Sequence, residues 1–124
     1  MLHSKVHAFF DRLGVDDLAA RELLTPDFTW WISGPGQIDG QFIEIGAAMA
    51  KHVTIPVRFR VVDMMENGSD AFVEVEESAT LKNGTSYTIM AAYRLSFADD
   101  GLISTIREYT DTKGATEIWA PVLS

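Results

Sequence analysis

The chain has no cysteine among its 124 residues, and 18 acidic residues outnumber 10 basic ones. Without cysteine there is no disulfide framework, no thiolate nucleophile and no zinc–thiolate site. The formal net charge of −8 repels a phosphate backbone, and the scattered basic residues form no patch that would attract nucleic acid or anionic lipid. The sequence therefore predicts a protein that does not bind nucleic acid.

Long hydrophobic runs are also missing. No segment approaches the roughly 20 consecutive apolar residues that cross a bilayer, and the stretch from Met1 to His7 lacks the apolar core of a signal peptide. No Ser-rich, Gly-rich, Pro-rich or single-charge run is long enough to indicate a linker or disorder. These absences predict a cytoplasmic protein with no membrane partner, folded as a single domain over residues 1–124.

Three turn signals divide the second half of the chain. Asn67-Gly68, Asn83-Gly84 and Asp100-Gly101 separate long alternating runs, and glycine supplies the positive φ that tight hairpin turns need. We therefore expect an antiparallel meander of four strands over residues 57–112. Such strands are roughly twice the usual length, and long twisted strands covered by helices on one face curve into a cup.

Three helices and one strand are predicted before the meander. Apolar residues recur at helical spacing over residues 4–13, and a second short helix follows Asp16, a residue type that caps helices. Residues 27–33 fit a pleated strand, and helical spacing returns over residues 41–53. The order predicts an α+β fold in which three N-terminal helices pack on a strongly curved, mainly antiparallel sheet and enclose a pocket.

Period-two alternation assigns the strand residues to the two faces of the sheet. Ile106 and Glu108 share one face of the final strand. On the strand over residues 71–81, Glu76 shares a face with Phe72. If Phe72 marks the concave face, Glu76 enters the cavity together with Glu108, and two carboxylates in a poorly solvated site raise each other's pKa. One then holds a proton as general acid while the other acts as base.

Apolar residues also alternate onto the opposite, convex face. Val61, Met65, Val73 and Val75 are assigned there by the same parity. A contiguous apolar patch on an exposed sheet marks an interaction surface. We therefore expect a homodimer formed through the convex face of the sheet.

The succession helix, helix, strand, helix and four-stranded meander, closing in the segment from Gly101 to Asp111, resembles the cone-shaped fold of the nuclear-transport-factor-2-like superfamily. Within that superfamily the chain is most similar to the SnoaL-like polyketide cyclases, limonene epoxide hydrolase and the ketosteroid isomerases. The resemblance implies that Glu108 takes the position of the catalytic carboxylate and that Tyr93 stands where the cyclases have an assisting histidine. Glu76 matches an aspartate of the epoxide hydrolase, whereas Glu74 replaces its cationic partner.

The expected pocket is apolar and has few polar groups. Aromatic walls supply area and stacking, and a carboxylate against them has a raised pKa. We expect a small hydrophobic or polyketide-like carbonyl compound, with Glu108 as general base and Tyr93 as donor to the developing oxyanion, and neither cofactor nor metal. Substrate contacts are assigned to Phe9, Leu13, Trp30, Ile32, Phe42, Met49 and Ile106.

Each assignment has a structural alternative. Glu108 can instead pair with an arginine on the neighbouring strand, such as Arg94. Glu76 lies in an acidic run typical of a solvated face, and Tyr93 can be a core tyrosine. The whole domain can also hold a hydrophobic metabolite without catalysis, or serve assembly through its convex face, because a fold does not determine a function.

Overall fold

The computed structural model describes residues 2–123, which form four α-helices packed on one six-stranded sheet. The helices are α1 (His3–Arg12), α2 (Asp17–Arg21), α3 (Phe42–Ala50) and α4 (Thr112–Leu123), with a short 3-10 helix at Asp39–Gln41. The strands are β1 (Leu24–Ile32), β2 (Gly36–Gln37), β3 (Val53–Asn67), β4 (Asp70–Leu81), β5 (Ser86–Phe97) and β6 (Ile103–Thr110). The predicted α+β class is confirmed; α1, α2 and α3 precede the long strands, and α4 follows them.

The sheet has the strand order β2-β1-β6-β5-β4-β3. All neighbouring pairs are antiparallel except β1 and β6, which run parallel. The meander β3 to β6 is therefore confirmed, and its three turns contain glycine at positive φ, namely Gly68, Gly84 and Gly101. β3 is 15 residues long and its pairing with β4 shifts register at three points. Such bulges bend a strand and increase its twist.

The helices cover only one face of the sheet, which we call the covered face; the other is the open face. Phe9 and Phe10 of α1 pack with Val73 and Val75 of β4 in the main hydrophobic core. Trp119 of α4 packs further along the same face in a second cluster that includes Ala79, Leu81, Tyr87 and Ile89. Residues of both clusters, among them Trp30 of the first and Val57 of the second, line a space between the helices and the sheet.

The prediction of which β4 residues face the helices is wrong. Val73 and Val75 were expected on the convex face, but they are 2% and 0% exposed and lie in the core. Phe72 is 41% exposed instead. The apolar majority of the strand, rather than its single aromatic residue, faces the helices, because burying several aliphatic side chains stabilises more than burying one ring.

Helix α4 was not predicted, because it contains Gly114 and Pro121. The Asp111 carboxylate nevertheless caps it, accepting from the Gly114 N–H at 2.9 Å. A Cβ atom at Gly114 would come within 2.5 Å of that carboxylate, so glycine permits the cap. Of the helices in residues 2–123, none is long and apolar enough to span a membrane.

Strand β1 begins three residues earlier than expected, at Leu24. Pro26 therefore lies inside a strand, a position that usually removes a ladder hydrogen bond. Here its pairing with β6 is interrupted between Leu24 and Thr29, so the missing N–H of Pro26 falls where the ladder is already broken.

Candidate functional site

A cavity of about 250 Å³ lies between the covered face of the sheet and the helices. Phe9 and Ile106, which were predicted to contact substrate, do not line it: both are 0% exposed and belong to the core behind it. The other predicted pocket residues do line it, namely Leu13, Trp30, Ile32, Phe42, Met49, Tyr93 and Glu108.

Glu108 projects from β6 into this cavity and is only 7% exposed. The parallel pairing of β1 with β6 sets Trp30 beside Ile106, so the Trp30 indole N–H can donate to Glu108 Oε1 at 3.0 Å. Burial raises the pKa of Glu108 to about 7, against the lowering effect of the Trp30 hydrogen bond. The predicted alternative, an ion pair with Arg94, is wrong, because Arg94 pairs with Asp70 at 2.7 Å.

Tyr93 lies on β5 directly opposite Glu108. It is 2% exposed, and its ring packs edge-on against Phe10 at a centroid distance of 4.9 Å. Burial raises the pKa of Tyr93 well above its ordinary value, and the nearby charges of Glu108 and Glu77 raise it further. Tyr93 is therefore both a core residue and a protonated hydroxyl beside the cavity carboxylate.

Glu76 does not enter the cavity, so this part of the expectation is wrong. It lies on the open face, where Arg60 pairs with its carboxylate at 3.1 Å. The next residue, Glu77, lines the cavity. The signal that could have found Glu77 was its shared parity with the apolar residues Val73 and Val75.

Glu77 ends a short chain of donors. Trp119 Nε1–H donates to the Tyr87 hydroxyl at 3.3 Å, and that hydroxyl donates to Glu77 Oε2 at 2.5 Å. Burial raises the pKa of Glu77, and the Tyr87 hydrogen bond lowers it. Tyr87 lies on β5 and Trp119 lies on α4. Because α4 was not predicted from the sequence, this chain of hydrogen bonds could not be predicted either.

Asp17 is the third carboxylate that lines the cavity. It accepts from the Gly14 N–H at 2.8 Å, and burial is the main cause that raises its pKa. α3 approaches closely because position 46 is glycine: a Cβ there would clash with the Asp17 carboxylate at 2.1 Å. Of the described residues that line the cavity, none carries a basic side chain, and residues 2–123 contain no group of three His, Asp or Glu suited to a metal ion.

The open face carries exposed apolar side chains interspersed with charges. Met65 is 70% exposed, as expected, whereas Val61 is partly buried against the core. The Trp31 ring packs against the Tyr109 ring. The Arg107 guanidinium lies over the Trp31 ring, with its Cζ atom 4.3 Å from the centroid of that ring.

The model of the SnoaL-like domain family matches residues 6–106. Because this match spans most of the chain, the protein belongs to the SnoaL-like domain family, as the resemblance had indicated. No curated protein matches the chain significantly.

Solved structures share the fold. An NTF2-like protein of unknown function from Burkholderia pseudomallei is 20% identical, with a TM-score of 0.76 over 94% of this chain and 95% of that chain. A SnoaL-like polyketide cyclase candidate from Jannaschia sp. CCS1 is 18% identical, with a TM-score of 0.76 over 98% and 91%. A protein with a ketosteroid-isomerase-like fold from Catenulispora acidiphila, solved in complex with trimethylamine, is 18% identical, with a TM-score of 0.72 over 84% and 82%. At such identities the likeness shows the fold alone.

Proposed function

We propose that this protein is a cofactor-independent acid–base enzyme of the cyclase or isomerase type, acting on a small hydrophobic carbonyl compound with Glu108 as general base. The observation that carries the proposal is the position of Glu108, buried in an apolar cavity with a pKa raised to about 7. A base is most effective when its pKa is near the working pH. The polyketide cyclase names among its structural neighbours are consistent with this class.

The reaction begins when the Glu108 carboxylate removes a proton from the carbon next to a carbonyl group. The electron pair left behind moves onto the carbonyl oxygen and forms an enolate. In an isomerisation, the compound carries a carbon–carbon double bond next to the deprotonated carbon, and protonated Glu108 returns the proton to the far carbon of that bond. In a ring closure, the enolate carbon attacks the carbon of a second carbonyl group, and the alkoxide that forms takes the proton from protonated Glu108. The Tyr93 hydroxyl, held protonated by its raised pKa, donates a hydrogen bond to the developing oxyanion.

Hydrogen exchange of a simple ketone tests this proposal. β-Tetralone is a fused-ring ketone whose α-hydrogens exchange for deuterium in deuterium oxide, a change that mass spectrometry follows. We expect the protein to accelerate the exchange, with a rate that rises with pH through about 7 as Glu108 ionises. Glu108→Gln should lower the catalysed rate by roughly 100-fold or more, the usual contribution of a positioned base.

Glu76→Gln is the matched control, because Glu76 lies on the open face and pairs with Arg60. This variant should exchange β-tetralone at the wild-type rate. The proposal fails if Glu108→Gln keeps the wild-type rate, or if the wild-type protein adds nothing to the rate in buffer.

The second candidate is a domain that binds a hydrophobic compound without transforming it. It is favoured by the lining of the cavity, since no basic side chain among the described lining residues is available to stabilise an oxyanion. β-Tetralone that binds to both wild type and Glu108→Gln but exchanges no faster than in buffer would support this candidate.

We also propose that the protein is a homodimer formed through the open face. Exposed apolar side chains on that face support a partner there, among them Met65, Phe72, Met90 and Tyr109. Sedimentation velocity at micromolar concentration should show a species of twice the chain mass, and Phe72→Glu should reduce it to the monomer. A wild-type protein that sediments as a monomer contradicts this proposal.

A further inference from the structure

Three carboxyl side chains line the cavity, and no basic side chain among the described lining residues pairs with them. Asp17, Glu77 and Glu108 all line it, and no described lining residue is Lys, Arg or His. On the open face, by contrast, Arg60 and Arg94 pair with Glu76 and Asp70. A buried, ionised carboxylate lowers the stability of the folded protein unless a positive charge pairs with it. The described residues that line the cavity supply no such positive charge.

Glu77 has an oxygen free to receive a ligand. Its Oε2 accepts the only proton of the Tyr87 hydroxyl, and Trp119 in turn donates to that hydroxyl. Among the described residues, the Tyr87 hydroxyl is the one hydrogen-bond donor recorded for the Glu77 carboxylate, and it binds Oε2 rather than Oε1. The Tyr87 hydrogen bond holds one carboxylate oxygen in place and opposes the rise in pKa that burial causes, and the other oxygen is left for a group that enters the cavity.

The walls around these carboxylates are aromatic. Trp30, Phe42, Tyr93 and Trp119 all line the cavity, and the rings of Trp30 and Phe42 are 5.0 Å apart. The faces of aromatic rings attract organic cations, and the attraction is stronger where water is excluded. Carboxylates combined with aromatic faces are the chemistry that recognises a substituted ammonium group.

We propose that the compound bound in this cavity is an organic cation, a protonated or quaternary amine, with Glu77 as its principal counterion. This inference rests on the proposed function, because it assigns a charge to the substrate on which Glu108 acts. A cationic substrate brings into the site the positive charge that the protein does not supply, and this charge stabilises an enolate formed next to it. The net charge of −8 also draws cations toward the protein.

A pair of isosteric probes tests the charge preference. Phenyltrimethylammonium and tert-butylbenzene have nearly the same shape and differ by a charged nitrogen in place of a neutral carbon. Titration followed by the indole N–H signals of Trp30 and Trp119 in NMR spectra gives both dissociation constants. We expect the cation to bind at least about tenfold more tightly than the neutral probe.

Two neighbouring residues provide the variant and its control. Glu77→Gln keeps a side-chain oxygen for the Tyr87 hydroxyl but removes the charge, so the preference for the cation should fall below about threefold. Glu76→Gln removes a charge one residue away on the open face and should keep the wild-type preference. Equal binding of the two probes to wild type, or an unchanged preference in Glu77→Gln, overturns the proposal.

The pH dependence gives a second measurement that needs no variant. The titratable groups that line or border the cavity are Asp17, Glu77, Tyr87, Tyr93 and Glu108. Phenyltrimethylammonium has no titratable proton, so tighter binding at pH 8 than at pH 6 reports ionisation of the carboxylates. The neutral probe should show no such change, and a pH-independent affinity for the cation contradicts the proposal.

The two proposals can fail separately. If wild type shows no cation preference but Glu108→Gln still abolishes β-tetralone exchange, the charge assignment is overturned and the acid–base function stands. If the cation preference depends on Glu77 but no exchange is catalysed, the charge assignment is supported and the enzyme proposal fails.

Discussion

The two faces of the central sheet hold carboxylates in opposite surroundings. Glu76 points to the open face, where Arg60 pairs with it at 3.1 Å. Glu77, the next residue of β4, points to the covered face and receives a hydrogen bond from the Tyr87 hydroxyl. Its pKa is raised by burial, whereas Glu76 remains a solvated partner in a surface ion pair.

The tryptophans of β1 show the same difference. Trp30 faces the cavity and donates its indole N–H to Glu108, while Trp31 lies on the open face under the Arg107 guanidinium. The fold therefore separates its charged groups by face: Arg60 and Arg94 pair with carboxylates on the open face, and carboxyl groups without basic partners among the described residues line the cavity. A single step along a strand therefore changes a side chain from a surface group to a candidate reactive group.

The largest expected effect concerns packing on the two faces of β5. Leu95 is 0% exposed and Met90 is 43% exposed. Leu95→Ala leaves a cavity in the core and should lower the free energy of unfolding by about 2–5 kcal/mol. Met90→Ala, measured in the Phe72→Glu background in which the open face is expected to be uncovered, should change it by less than about 0.5 kcal/mol. Denaturant titration measures both, and equal losses would show that the two faces are not different environments.

The next effect is a dependence of stability on pH. The pKa of Glu108 rises from 4.5 to about 7 on folding, so the folded state holds this proton more tightly than the unfolded state does. The stabilisation is fully present below pH 4.5 and is lost as pH rises to about 7. Over this range the free energy of unfolding should fall by about 3 kcal/mol.

Glu108→Gln should flatten this dependence, and adding Glu77→Gln should flatten it further, because burial raises both pKa values. Glu76→Gln should leave the slope as in wild type. Urea titrations between pH 4.5 and 8 check the prediction, and a wild-type protein that becomes more stable across that range would contradict the buried placement of Glu108.

A smaller effect separates the neighbouring tryptophans. Trp30→Phe removes the hydrogen bond that lowers the pKa of Glu108, so that pKa should rise above about 7. Above that pH the free energy of unfolding of the variant should also be lower than that of wild type by roughly 1–3 kcal/mol, the usual contribution of a hydrogen bond to a charged group. Carboxyl carbon NMR follows the titration of Glu108. Trp31→Phe should leave the pKa of Glu108 unchanged. Equal shifts of this pKa in both variants would contradict the assignment of Trp30 and Trp31 to opposite faces of the sheet.

The smallest effect is expected for the ion pair on the open face. The Arg60 side chain is 65% exposed, and solvent-exposed pairs contribute about 0–1 kcal/mol. Arg60→Ala should therefore destabilise the protein by less than about 1 kcal/mol, measured by thermal unfolding. The measurement is made in the Phe72→Glu background, in which the open face is expected to be uncovered, and a loss several times larger there would contradict the solvent-exposed placement of this pair.

Much of the architecture could be predicted because its signals are local. Turn glycines at positions 68, 84 and 101 fix the meander through their positive φ, and apolar spacing defines α1. Glu108 could be assigned to the cavity because its strand alternates regularly with Ile106. Helix α4 could not be placed with the same ease, because Gly114 and Pro121 conceal the apolar spacing of Ala115, Ile118 and Trp119.

The sequence by itself determined the four-stranded meander, its turns and the presence of closely spaced acidic residues on β4. Only the tertiary structure decided which of those acidic residues is buried, because two registers of one alternating strand differ by a single residue and burial depends on which set the helices cover. It likewise decided the raised pKa of Glu108, which arises from surroundings brought together by β1, β5 and β6 rather than from its neighbours in the chain.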